Sequence, residues 1–324
     1  MNTLNIAVWT IGNHSIRNIL PAIEENNFFN LVGIFTRNKK NSDIQSQKYN
    51  CKGYLTTNDL LEDKTVDLVY ISSPNALHFK QTMSCLSNDK NVLVEKSAFI
   101  SSKESKKIIK IANEKKLIVM EAFMYLFHNQ FFELKRLLDS KKYGEILSVE
   151  AKFGFPHLSE DNIRYSKDLG GGALNDAGAY TISAIVNLLG FNTKLIFSSL
   201  KSDSRYEVDT SGLAFFKNNS ASTSNGVCFW AFGASYKNEI TIWCEYGNII
   251  VERAFSKPPE HEAKIEVYNN GVKVEEYKSG KDNHFITMLD FCAEKIINKD
   301  FYEENNKVLI QSDILENIRN STNK

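Results

Sequence analysis

The chain has 324 residues, 42% of them hydrophobic, enough to bury a sizeable core and to form two domains. Lys plus Arg and Asp plus Glu both total 39, a balance that leaves no electrostatic footprint for nucleic acid or an anionic membrane surface. The five cysteines (Cys51, Cys85, Cys228, Cys244, Cys292) are scattered, odd in number and never in a C-x-x-C pair, which argues against a disulfide framework or a metal site. Met1-Asn-Thr-Leu-Asn has no basic patch followed by an apolar core, and no apolar run reaches the roughly 18 residues of a membrane span. The expectation is a globular, cytoplasmic protein.

Leu4 to Trp9 is a short apolar run, and a helix is expected from about Ser15 to Glu25. Between them stands Thr10-Ile11-Gly12-Asn13-His14-Ser15, where a dinucleotide-binding unit carries G-x-G-x-x-G. Only the middle glycine is present, the one that lets backbone approach a pyrophosphate. The turn reads either as an ordinary strand-to-helix connection or as a phosphate loop at a helix N-terminus. Leu31 to Phe35 is a second strand, ending in Thr36-Arg37-Asn38-Lys39-Lys40. An NAD-specific site places an acid here for the ribose 2′-hydroxyl, and none stands. Thr36, Arg37 and the lysines would instead meet a 2′-phosphate, favouring NADP over NAD, or they form a solvated basic turn.

Val66 to Ser72 is a third run, followed by Ser72-Ser73-Pro74-Asn75-Ala-Leu-His78. Hydroxyl and amide side chains around a proline describe a capped helix start on the carboxyl edge of the sheet, where a dinucleotide lies. His78, one turn in, reads as a packing residue at least as readily as a ligand. Asn91 to Val94 ends abruptly in Glu95-Lys96-Ser97. Adjacent acid and base at the end of a core strand are awkward unless they face a cleft. A helix over Ser102 to Lys115 and a strand over Leu117 to Met120 complete the series. Short apolar strands alternating with helices are what a parallel sheet covered on both faces requires, so residues 1–122 are expected to form a doubly wound α/β domain.

After Tyr125 the rhythm changes. A helix over Gln130 to Ser140 precedes a strand over Ile146 to Phe155, and another helix runs from about Ala173 to Leu189. The latter follows Gly170-Gly171-Gly172, which permits close backbone approach. Asp176 and Tyr180, four apart, share one helical face and either look into a pocket together or serve as a solvated acid and a core aromatic. Strand-like runs follow at Thr193 to Leu200, Ser211 to Phe216, Ser222 to Phe232, Asn238 to Glu245, Asn248 to Arg253 and Lys264 to Tyr268. Asn269-Asn270-Gly271 is a hairpin signal, and His284 to Ile297 and Val308 to Ile318 are helical by periodicity. Residues 123–324 are therefore expected to form an α+β domain with an open, mostly antiparallel mixed sheet, its C-terminal helices free to pack back on the first domain.

Five segments together resemble the glucose–fructose oxidoreductase, inositol dehydrogenase and rhizopine-catabolism (Gfo/Idh/MocA) family, in the branch of dihydrodiol dehydrogenases and nucleotide-sugar ketoreductases. They are Ile71-Ser-Ser-Pro-Asn-Ala-Leu-His78, Glu95-Lys96-Ser97, Glu121-Ala-Phe-Met-Tyr125 through Gln130, Asn162-Ile-Arg164 through Tyr180, and Arg253-Ala-Phe-Ser-Lys-Pro-Pro259. The resemblance implies a Rossmann domain for the first half and places the catalytic lysine on Lys96, the acid/base tyrosine on Tyr180 and the helix aspartate on Asp176. It also implies cofactor contacts from Thr10 to His14, Ser72 to Asn75, His78, Glu95, Lys96 and Arg164, and substrate contacts at Lys96, Tyr125, Asn162 and Tyr180. Departures are Thr10 and Ser15 for glycines, Ser97 and Asn129 for prolines, and Leu126 for an arginine.

The physics agrees with those roles. Moving a hydride at a carbinol carbon requires a proton to leave or reach its oxygen, and a phenol with a pKa near ~10 needs a neighbouring cation to act as base. The implied protein is an NADP- or NAD-dependent oxidoreductase acting on a ring hydroxyl or ketone of a sugar, nucleotide-linked sugar or cyclic polyol, assembled as a homodimer or homotetramer. Competing readings are a non-catalytic dinucleotide- or sugar-binding regulator of the same fold, and a structural oligomer.

Overall fold

The apolar hexapeptide Leu4–Trp9 forms strand β1 in a computed structural model that describes residues 3–218 and 224–321. The chain builds two compact units, one from residues up to Phe123 with Phe285–Ser312, the other from Met124–His284 with the chain from Asp313 onward.

In the first unit β1 leads through a π-helical turn, Ser15–Ile19, into α1, Leu20–Glu24. There follow β2 (Phe29–Phe35), α2 (Lys39–Lys48), β3 (Lys52–Gly53), α3 (Thr57–Glu62), β4 (Leu68–Ile71), α4 (Asn75–Ser87), β5 (Asn91–Val94), α5 (Ser102–Lys115) and β6 (Val119–Glu121). The six strands are parallel in the order β3-β2-β1-β4-β5-β6. Strand β4 is buried throughout and β5 at all but its first residue, as expected where helices cover both faces. The order reverses between β1 and β4, and in open parallel sheets ligands bind at such a switch point, beyond the carboxyl ends of the strands.

Two helices and a strand here escape the sequence pattern. Helix α2 buries only Ser42, so it has no apolar stripe to read, and it is started by the Asn38 side chain, which accepts from the Asn41 amide at 3.1 Å. Helix α3 is short and held by a capping box between Thr56 and Asp59. Strand β3 is two residues long.

The second unit opens with a 3₁₀ turn, Met124–Phe127, then α6 (Asn129–Asp139) and β7 (Ile146–Phe155). A 3₁₀ turn at Ile163–Tyr165 and a π-helical turn at Leu174–Gly178 lead into α7, Ala179–Leu189. Seven strands follow: β8 (Lys194–Ser202), β9 (Asp209–Asn218), β10 (Ser224–Phe232), β11 (Lys237–Cys244), β12 (Gly247–Glu252), β13 (Ala263–Asn269) and β14 (Val272–Gly280). The expected start of this unit's fourth strand at Ser222 lies outside the described residues. The sheet order is β14-β13-β12-β11-β7-β10-β9-β8, antiparallel except between β7 and β10, so the expected mixed sheet is present.

Helix α7 covers the buried face of that sheet. A Cβ on Gly226 of β10 would come within 2.5 Å of Ile185, so the glycine is what lets the helix sit this close. The Asn269-Asn270-Gly271 turn closes the β13–β14 hairpin with Asn270 at φ 49° and Gly271 at φ 79°, both left-handed as a primed turn requires. Helices α8 (His284–Ile297) and α9 (Tyr302–Ser321) end the chain. Buried Asn305 docks the start of α9 on the sheet edge of the first unit, accepting from the Val119 amide at 2.7 Å and donating to Leu117 O at 3.0 Å.

Candidate active site

At the carboxyl end of β1, Thr10 takes φ 70°, the left-handed conformation that the first glycine of the fingerprint normally supplies. Threonine pays about 1 kcal/mol for it, and its amide is fixed by Phe35 O at 2.7 Å. The tight turn therefore survives without the glycine. Ser15, at the third glycine position, is fully buried and donates its hydroxyl to Ser72 Oγ at 2.7 Å, tying the first helix to the end of β4. Gly12 is different: a Cβ there would meet nothing within 4 Å. The protein's own packing does not demand this glycine, and what it keeps clear is space in front of the loop, as a pyrophosphate cradle needs. Asn13 and Gly12 are exposed and Ile11 is buried behind them.

Thr36 is half-buried, Arg37 is exposed, and no ion pair among the described residues engages Arg37. Ser73 bonds Gln81 through its hydroxyl, and Pro74 and Asn75 start α4. His78 is fully buried, with Nε2 2.8 Å from Ser73 O and Nδ1 3.0 Å from Ser97 O. Burial lowers its pKa against those carbonyls and Glu95, so the ring is neutral and spans two loops. No ring atom is exposed, and the ring braces the Lys96 turn against the start of α4.

Lys96 stands at the carboxyl end of β5, and the peptide bond joining it to Ser97 is cis. Two carboxyls flank it. Burial acts to raise Glu95, but His14 at 3.0 Å, the Tyr70 hydroxyl and Lys96 overcome it and hold the group at about 2, an anion at any working pH. Glu121, at the end of β6, accepts from the Ala98 amide at 2.8 Å, yet burial pushes it up to about 8 despite that bond and Lys96. Glu121 was part of a matched segment but had no role assigned; its position beside Lys96 emerges only when β5 and β6 pair.

The raised Glu121 makes stability depend on pH. Its neutral form is favoured in the fold, so that contribution is complete below an ordinary carboxyl pKa near 4.5 and is lost as pH rises through about 8. Between those limits the wild type should lose on the order of a few kcal/mol relative to Glu121→Gln, read from urea midpoints across the range. Parallel pH dependences for the two proteins would show that Glu121 is not held neutral.

The second unit gathers the other expected residues. Asn162 caps its 3₁₀ turn, accepting from the Arg164 amide at 3.1 Å, and turns Arg164 toward the glycine-rich segment. A Cβ on Gly171 would lie 2.4 Å from Arg164 O, so this close passage requires a glycine at that position. Arg164 Nε donates to Asp176 Oδ2 at 2.6 Å. Asp176 raises the Arg164 pKa most, against burial, and Tyr180 adds to it electrostatically. Arg164, expected with the cofactor contacts, thus lies in the second unit on Asp176.

Tyr180 is 7% exposed, packed against Phe153, Phe255 and Tyr125, with its hydroxyl 3.3 Å from Met124 Sδ. Tyr125, expected to touch substrate, is fully buried and donates to Ser183 Oγ at 3.0 Å. It is a core aromatic beneath Tyr180, and the matched segment around it is explained by packing. Asp209 and Arg319, which meet the same helix from β9 and α9, carried no sequence signal because their partners lie far along the chain.

Residues 4–123 match the oxidoreductase family with an NAD-binding Rossmann fold, and residues 131–250 match the GFO/IDH/MocA C-terminal domain. The chain is 28% identical over 269 residues to a dTDP-3,4-didehydro-2,6-dideoxy-alpha-D-glucose 3-reductase of Saccharopolyspora spinosa, covering 83% of this chain and 80% of that one. It is 30% identical over 167 residues to a trans-1,2-dihydrobenzene-1,2-diol dehydrogenase of Xenopus laevis, 51% of this chain and 49% of the other. In fold it is similar to the crystal structure of a 3-ketoreductase from Actinomadura kijaniata in complex with NADP and TDP-benzene, with a TM-score of 0.91 at 24% identity over 99% of this chain and 98% of that one. With each of its two units matched by the corresponding half of one family, the chain belongs to the GFO/IDH/MocA oxidoreductases.

Proposed function

We propose that this oxidoreductase uses NADP(H) to interconvert a keto group and a hydroxyl on the ring of a sugar or nucleotide-linked sugar. The observation that carries the reading is the pair of prepared groups: Lys96 at a parallel strand's carboxyl end between two carboxyls, and Tyr180 on a helix beside the Arg164–Asp176 pair. The dehydrogenase and reductase relatives favour this over the regulatory reading.

Gly12, the helix start at Ser15, Ser72–Asn75, Thr36 and Arg37 would hold the dinucleotide, with Arg37 on the 2′-phosphate. When bound, the nicotinamide supplies or takes the hydride. In reduction Tyr180 delivers its phenolic proton to the carbonyl oxygen, and in oxidation it removes that proton. Lys96 donates a hydrogen bond to the same oxygen as negative charge develops on it. Arg164 favours the phenolate of Tyr180, and Asp176 fixes Arg164. The near-zero net charge and the relatives' substrates suit a small sugar-like molecule rather than nucleic acid. Among the described residues no helix is long and apolar enough to cross a membrane, and no His, Cys, Asp and Glu group could hold a metal ion. A homodimer or homotetramer is proposed to form through the outward face of the second sheet, where Phe197, Phe229 and Trp243 stand exposed.

The test is a spectroscopic assay of NADPH consumption with dTDP-3,4-didehydro-2,6-dideoxy-α-D-glucose and simpler keto sugars. Steady oxidation of NADPH coupled to formation of the reduced sugar is expected. NADPH bound but unconsumed by every sugar would leave only the binding fold.

A further inference from the structure

Asp209 opens β9 and points into the glycine-rich turn that precedes Asp176 and Tyr180. Its Oδ2 accepts from the Leu174 amide at 2.6 Å, the first amide of the π-helical turn. Gly172 sits at φ 108°, and a Cβ there would stand 2.4 Å from Asp209 Oδ1. The carboxylate therefore fills the space that a side chain at position 172 would take. On the other side of the turn Asn175 Nδ2 donates to Gly170 O at 3.1 Å and Gly171 O at 3.0 Å, and Asn175 Oδ1 accepts from Arg319 Nη2 of α9 at 2.9 Å. Arg319 is largely buried and is drawn electrostatically to Asp209.

We infer that Asp209, backed by Arg319, is a positioning residue that holds the start of the reactive helix and thereby aims Tyr180. The inference rests on the reading of Tyr180 as the proton donor. An anionic acceptor at a helix start binds its free amides and suits the dipole, and both effects weaken when the group is neutral. The groups facing Asp209 are the Leu174 amide, its own amide, Trp230 from β10, and Arg319, which in turn faces Glu316 on α9. Burial outweighs them and pushes the carboxyl up to about 6. The hold on the helix is therefore complete above that pH and loosens as pH falls through it.

Two readouts separate positioning from the proposed chemistry. Hydrogen exchange of the peptide spanning residues 170–180, corrected for the intrinsic rate, needs no substrate. In the wild type its protection should fall as pH drops through about 6. Asp209→Ala should exchange fast at every pH, and Asp209→Asn should keep partial protection with no pH step. Arg319→Gln should move the step to higher pH, because the cation that favours the carboxylate is gone, and this variant carries the test if Asp209→Ala does not fold. With dTDP-3,4-didehydro-2,6-dideoxy-α-D-glucose as substrate, Asp209→Ala should lower kcat by about tenfold or more at unchanged KM for NADPH, with partial rescue in Asp209→Asn. Wild-type exchange and an unmoved pH step in all three variants would overturn the inference. Absence of turnover in the wild type would bear on the proposed reaction alone, since the exchange experiment would still read the helix.

Discussion

Lys96→Ala should lower kcat by about a hundredfold or more while the protein stays folded, and Tyr180→Phe should do the same. The two losses have different origins. In the proposed reaction Lys96 supplies a hydrogen bond and a positive charge to an oxygen that becomes anionic in the transition state, and one such donor is worth roughly 3–4 kcal/mol where water is excluded. In the same proposal Tyr180 supplies the proton itself, and phenylalanine keeps the ring in its aromatic nest of Phe153, Phe255 and Tyr125 while removing the acid. The nest predicts that Tyr180→Phe is nearly silent in stability. Lys96→Ala is different, because Glu95 and Glu121 lose the cation that lowers both of their pKa values. Steady-state kinetics with thermal melts of each variant checks this, and wild-type rates in both would remove the mechanism.

NADPH should bind more tightly than NADH, and Arg37→Ala should cost about thirtyfold in NADPH affinity while leaving NADH almost untouched. No acid stands at the end of β2 to take a ribose 2′-hydroxyl, and the residues there are Thr36 and Arg37, with Asn38 committed to capping α2. A guanidinium–phosphate contact contributes about 2 kcal/mol, and because Arg37 is exposed the preference should shrink as salt rises. Calorimetry decides it: equal affinities of the wild type for the two dinucleotides would overturn this assignment of Thr36 and Arg37.

The placement of the first unit's candidate residues was legible because they sit where strands end. The run Asn91–Val94 had to be a core strand, so charges at Glu95 and Lys96 had to emerge at an edge. The glycine pattern was less informative, since Thr10 takes the left-handed turn without glycine and Ser15 converts a packing position into a hydrogen bond to Ser72. The burial of Tyr125 was not legible, because a residue in a matched segment serves equally as core. Glu121, Asp209 and Arg319 were out of reach. Each acquires its meaning from a residue on another element, and periodicity along one element carries no information about such partners. Helix α2 was missed for the opposite reason: it packs so little of itself that its sequence is free to be polar.

The most direct measurement of the account is kcat for the doubly substituted protein, Lys96→Ala with Tyr180→Phe, set beside the two single variants. If the ammonium and the phenol attend one oxygen in one step, the second substitution adds little, and the double variant should turn over about as slowly as the slower single. Losses that simply multiply would mean that the two groups act independently, and the shared reaction centre would have to be given up.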